Sequence, residues 1–159
     1  MADYTFPTFP GTRPLQAEYS YEHSTRFMTS QPASGPYYSQ ILQDDAPTYF
    51  NLSFVMTLQY AQAFRAWCRQ DNYAVLNGAQ FNIGLPIEDG IVTQVASFTP
   101  DGIPQVTGEV NKLIYYSARV LVRKLNEPTD GSEDLILFMA ENSGSDLLQV
   151  IVNEDMPEL

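Results

Sequence analysis

Tyr49-Phe50-Asn51-Leu52-Ser53-Phe54-Val55-Met56 alternates strongly and weakly apolar residues over eight positions. Successive side chains of an extended backbone point to opposite sides, so Phe50, Leu52, Phe54 and Met56 share one face of a strand. Thr57 then stands at a helix N-cap position and the period changes. Tyr60, Phe64 and Trp67 recur at i, i+4 and i+7, one stripe of a helix with Ala61 and Cys68 beside it. Asn77-Gly78 signals a turn, and Phe81, Ile83 and Leu85 alternate again as a strand. Residues 49–86 therefore predict strand, helix, strand, with a core of Phe50, Leu52, Phe54, Tyr60, Phe64, Trp67, Phe81 and Ile83. None of these side chains is chemically reactive.

Downstream, Asp89-Gly90 between apolar runs predicts a hairpin into a strand over residues 91–98. A turn at residues 99–104 leads to a strand-like run from Val106 to Leu125. Such a length exceeds that of an ordinary strand, so a bend or bulge near Gly108 is expected. A polar loop precedes two apolar runs of six, Leu135–Ala140 and Leu147–Val152. Each follows acids at a helix start, Ser132-Glu133-Asp134 and Ser145-Asp146. The first run reads as a helix. The second contains Val150-Ile151-Val152 and stays open between helix and strand.

Upstream, residues 1–47 are punctuated by Pro7, Pro10, Pro14, Pro32, Pro36 and Pro47, and no period persists. Disordered leaders are poor in aromatics, whereas this one carries Tyr4, Phe6, Phe9, Tyr19, Tyr21, Phe27, Tyr37 and Tyr38. It reads as an extended arm laid on its own domain or on a neighbouring subunit, with Phe6, Phe9, Tyr19 and Tyr21 as contact residues. Tyr19, Tyr21 and His23 alternate as a short strand, and Tyr37–Leu42 reads as a helical turn. The expected organisation is one domain over residues 48–159, with an acidic C-terminal part at 126–159, preceded by the arm. The fold class is α+β: a mainly antiparallel sheet, one packed helix and C-terminal helical segments. On this reading, deleting residues 2–16 would leave the domain folded and weaken assembly.

The 159 residues suit one ordinary domain, and 44% hydrophobic residues suit a globular core. Only 17% are charged, while Tyr and Phe together number 19, a balance found at protein–protein contacts and also in tyrosine-rich cores. The net charge of −11 argues against a nucleic-acid binder. It is unevenly placed: residues 1–124 hold ten acids and eight bases, residues 125–159 nine acids and no base. Such a block is commonly a solvated face, or else a surface that repels another polyanion. The start lacks the basic and apolar regions of a secretory leader, and no apolar run reaches membrane-spanning length. A cytoplasmic setting is expected.

Candidate chemistry is sparse. His23 is the one histidine and Cys68 the one cysteine, which exclude paired-imidazole sites, thiolate clusters and an internal disulfide. Asp44-Asp45, Glu88-Asp89 and Glu133-Asp134 stand at turns or helix starts, where acids are ordinary. The calcium-loop spacing of Asp130, Ser132 and Asp134 fails at Leu135, where a glycine is required. No phosphate-binding glycine loop or dinucleotide fingerprint occurs. No catalytic residue, cofactor or metal is predicted. Arg65 and Arg69 lie one helical turn apart, and Arg119 and Arg123 share a strand face on which they could meet acids of the same or a neighbouring subunit.

The strand at 49–56, the helix Ala63-Phe64-Arg65-Ala66-Trp67, the strand 78–85 and the run Tyr116–Arg123 together resemble small tail-associated virion proteins of tailed bacteriophages. The resemblance covers about Tyr49 to Lys124 and is a packing pattern rather than a catalytic signature. It implies a non-enzymatic subunit of a tail, neck or baseplate, assembled in the host cytoplasm into the virion. Its implied partners are copies of itself in a cyclic ring and other tail or neck proteins, with no membrane and no specific nucleic-acid binding. The acidic end could line a lumen through which DNA passes. The rival readings are a soluble adaptor or carbohydrate-binding module with a tyrosine-rich surface, and a carboxylate-based hydrolase.

Overall fold

The computed structural model describes residues 2–41, 46–128 and 131–141; the run 147–152 lies outside them. Thr48–Thr57 forms strand β5, whose side chains at Thr48, Phe50, Leu52, Phe54 and Met56 are all buried, as period-two alternation requires. Helix α1 (Leu58–Cys68) follows directly. Thr57 precedes it in extended conformation, yet its side chain makes no capping hydrogen bond. The buried stripe is Ala61, Phe64 and Cys68, with Tyr60 and Trp67 half-buried at its margins.

After α1 the chain turns through α2 (Gln70–Tyr73), where Asp71, Asn72 and Tyr73 all have positive φ. Asp and Asn tolerate that region and Tyr does so at a cost. Gly78, at φ +94, closes the following turn. Its amide donates to Val75 and that of Ala79 to Ala74, the paired bonds of a Schellman closure. Strands β6 (Phe81–Ile87) and β7 (Gly90–Phe98) then form the expected hairpin, with Gly90 at φ +99 after the Glu88-Asp89 turn.

The run beginning near Val106 is a hairpin rather than one long strand: β8 (Gln105–Val110) and β9 (Leu113–Val122) pair antiparallel. Asn111 and Lys112 both take positive φ, the two-residue turn whose twist matches that of the flanking strands. Lysine in the second turn position hides this signal, since glycine usually stands there. An irregularity between Val106 and Gly108 shifts the register where a bulge is expected.

Two short segments of residues 4–23 join the sheet, so this part of the chain lies on its own domain. Strand β1 (Tyr4–Thr5) pairs parallel with β6, and β2 (Ser20–His23) pairs antiparallel with β5. A single 3-10 turn, Gln16–Glu18, leads into β2, and the Leu15 amide donates to the Ser53 carbonyl of β5. Among the described residues the sheet order is β1-β6-β7-β9-β5-β2, with β8 on the outer part of β9. The β2 end of that order meets the far end of β6, because the Tyr19 hydroxyl donates to the Pro86 carbonyl and the Tyr21 hydroxyl to Glu88. The sheet thus curls around a core of Phe50, Phe54, Phe81, Leu85, Phe98 and Val120, and α1 covers its open side.

The remaining strands stand apart. β3 (Phe27–Ser30) and β4 (Tyr38–Ile41) form a two-stranded antiparallel sheet, so the segment after Tyr37 is extended rather than helical. Asn126 ends the first of two compact units; the second begins at Glu127 and contains helix α3 (Glu133–Glu141). The mainly antiparallel sheet with few helices is an α+β fold.

Candidate interaction surface

Phe6 is only 6% exposed. Its ring meets those of Phe54, Phe64, Trp67 and Phe81 at centroid distances of 5.3–5.9 Å. The Phe6 amide also donates to the Asn82 carbonyl, extending the β1–β6 pairing. This residue, expected as a contact on its own domain or on a neighbouring subunit, is buried inside its own chain. Phe9 stacks on Tyr60 at 5.5 Å, and Tyr19 and Tyr21 pack on Phe50. These aromatics close the sheet and cover its core. Burial pushes the Tyr19 phenol up, while the hydrogen bond from Tyr21 holds the exposed Glu88 carboxyl below its usual range.

Arg119 is likewise committed at home. Its guanidinium pairs with Glu22 of β2 and lies over the Tyr49 ring of β5, 4.7 Å from the centroid. Arg123 lies beyond the end of β9 and is exposed. His23 faces Thr48, with Nδ1 2.9 Å from Oγ1, in a fully paired strand position. Buried Gln94 serves as a substitute strand: its amide donates to the Asn126 carbonyl at 2.8 Å, and its carbonyl accepts the Asn126 amide at 2.7 Å. Burial pushes the Cys68 thiol up to about 11, as suits an inert core cysteine. Among the described residues, no three or more His, Cys, Asp or Glu side chains converge as a metal site would require. No helix among them is long and apolar enough to cross a membrane.

Three apolar features face outward. The first is the β3–β4 hairpin, with Phe27, Met28, Tyr37, Tyr38 and Ile41 exposed, Ile41 to 74%. Between Phe27 and Ile41 the sequence has no charged residue. Cross-strand register puts Phe27 opposite Ile41 on one face and Tyr38 opposite Ser30 on the other. The second is α3, where Leu135, Ile136, Leu137 and Phe138 are each 44–60% exposed. The third is a groove of about 610 Å³ between the end of α1 and the β8–β9 hairpin. Phe64, Leu76, Ile114 and Tyr116 form its floor and Val106 a wall, with Arg65 and Arg69 along the rim. Periodicity does not reveal the groove, because its floor residues are ordinary apolar positions of a helix, a turn and one strand.

No family model matches the sequence, and no curated protein matches it. A solved chain described as the tail of an empty GTA particle, computed with helical refinement in C6 symmetry, is similar to 67% of this chain over 75% of its own length. The two are 17% identical, with a TM-score of 0.36.

Proposed function

We propose that this chain is a non-enzymatic structural subunit of a tailed-phage virion, in the tail, neck or baseplate, working through contacts with copies of itself and neighbouring tail proteins. The observation that carries the subunit reading is the β3–β4 hairpin. A lone two-stranded hairpin is at best marginally stable in water. Among the described residues it pairs with no other strand, and it carries no charge from Phe27 to Ile41 and presents five large apolar side chains to solvent. A hairpin of that composition gains its stability by pairing or packing against another chain. The assignment to a virion follows from the sequence resemblance over residues 49–124. The aromatic start serves this role indirectly, by closing the sheet from which the hairpin extends.

The test replaces Phe27, Met28, Tyr38 and Ile41 together by serine. Because all four are solvent-exposed, the melting temperature should stay within about 2 °C of the parent. Self-association, read by light scattering, and incorporation into particles should be lost. Full assembly by the substituted chain would refute the proposal.

A further inference from the structure

The groove beside α1 pairs two properties that recur, inverted in charge, elsewhere in the same sequence. Its floor is apolar, from Phe64, Leu76, Ile114 and Tyr116, and its rim is cationic, from Arg65 in the last turn of α1 and Arg69 at its C-cap. Among the described residues, neither arginine has a carboxylate within ion-pair distance. Arg119, by contrast, is held by Glu22 and Tyr49. The two rim arginines thus form a cationic edge along an apolar slot. A fitting occupant presents an apolar ridge with carboxylates beside it, as an amphipathic helix laid into a groove does.

Helix α3 offers both features: its first turn carries Glu133 and Asp134, and exposed Leu135 and Phe138, three residues apart, share one face. It belongs to the segment 125–159, which has nine acids and no lysine or arginine, so no cation there opposes the rim. We propose that the groove lined by Phe64, Leu76, Val106, Ile114 and Tyr116 receives helix α3 of a second copy of this chain, with the acidic first turn against Arg65 and Arg69. The contact is heterologous: groove and helix are different surfaces of the same sequence. Copies therefore join head to tail, and a closing rotation gives a ring. This inference rests on reading the chain as a self-assembling subunit and adds a second contact, distinct from the hairpin.

The experiment uses the full chain and charge reversal in trans. R65E/R69E and E133K/D134K are each measured alone, then as an equimolar mixture, by sedimentation velocity. Each variant alone should associate at least about tenfold more weakly than the parent, because like charges now face each other. The mixture should recover, since each variant offers the charge that the other lacks. E133Q/D134N keeps lysine out of the helix start and should still weaken association and flatten its salt dependence. Charge variants that associate like the parent would overturn the groove contact and leave the subunit reading standing. A mixture that stays dissociated, while one chain carrying all four reversals associates normally, would also overturn it. A parent chain that is monomeric at every concentration would overturn both.

Discussion

Replacing Phe6 by alanine tests the most consequential placement in the molecule, an aromatic directly before a proline that sits inside the core. The ring is 6% exposed and touches four others, from β5, α1 and β6, at 5.3–5.9 Å. Its removal loses the transfer free energy of a buried benzyl group and leaves a cavity that rigid strands on both sides cannot close. Phe-to-Ala changes at such sites cost about 3–5 kcal/mol. That is a large share of the roughly 5–15 kcal/mol by which domains are stable. At about 2–4 °C per kcal/mol for a chain of this size, the melting temperature should fall by about 6–20 °C. Phe6→Leu, which keeps most of the volume, should cost less than about 1.5 kcal/mol. Urea unfolding followed by Trp67 fluorescence is a suitable assay, because the indole packs edge-on to Phe6 at 5.3 Å. If F6A unfolds at the parent midpoint with the same slope, Phe6 is not a core residue and the placement is refuted. Deleting residues 2–16 should be more damaging still, since it also removes the β1–β6 pairing and the Phe9–Tyr60 stack.

Other outcomes follow from particular contacts. A Cβ on Gly102 would lie 2.3 Å from the Arg119 Cβ and 2.6 Å from its carbonyl oxygen, so Gly102→Ala should destabilise by about 1–3 kcal/mol in thermal unfolding. Tyr21→Phe removes the hydrogen bond that depresses Glu88, and the Glu88 carboxyl titration, followed by NMR, should move up toward the ordinary carboxylate range. The sign for stability follows: a carboxyl depressed in the folded state stabilises above its unfolded value. That contribution is lost as pH falls through the folded value, so in the parent the Tyr21–Glu88 closure weakens in acid, and less so in Y21F. With its thiol at about 11, Cys68 in the native chain at pH 8 should react with a disulfide reagent about 10²-fold more slowly than in the unfolded chain. Rapid native labelling would place that thiol at the surface.

Local periodicity determined much of this protein. The alternation at 49–56, the change of period after Thr57 and the alternation at 81–85 specify β5, α1 and β6, because burying one face of each is a demand the nearest few residues already express. The Asp89-Gly90 hairpin and the α3 helix are legible for the same reason. Tertiary structure alone decided what depends on residues far apart. Phe6 enters the core because β1 pairs in parallel with β6, Tyr4 against Phe81, and the prolines that follow it conceal that role. Arg119 is spent on Glu22 and Tyr49 only when β2 and β5 come alongside β9. The strand expected beyond Val106 folds back at Asn111-Lys112, where the backbone's twist sets the turn although the second residue is not glycine. The groove exists because α1 and the β8–β9 hairpin, each ordinary in sequence, leave a gap where they meet.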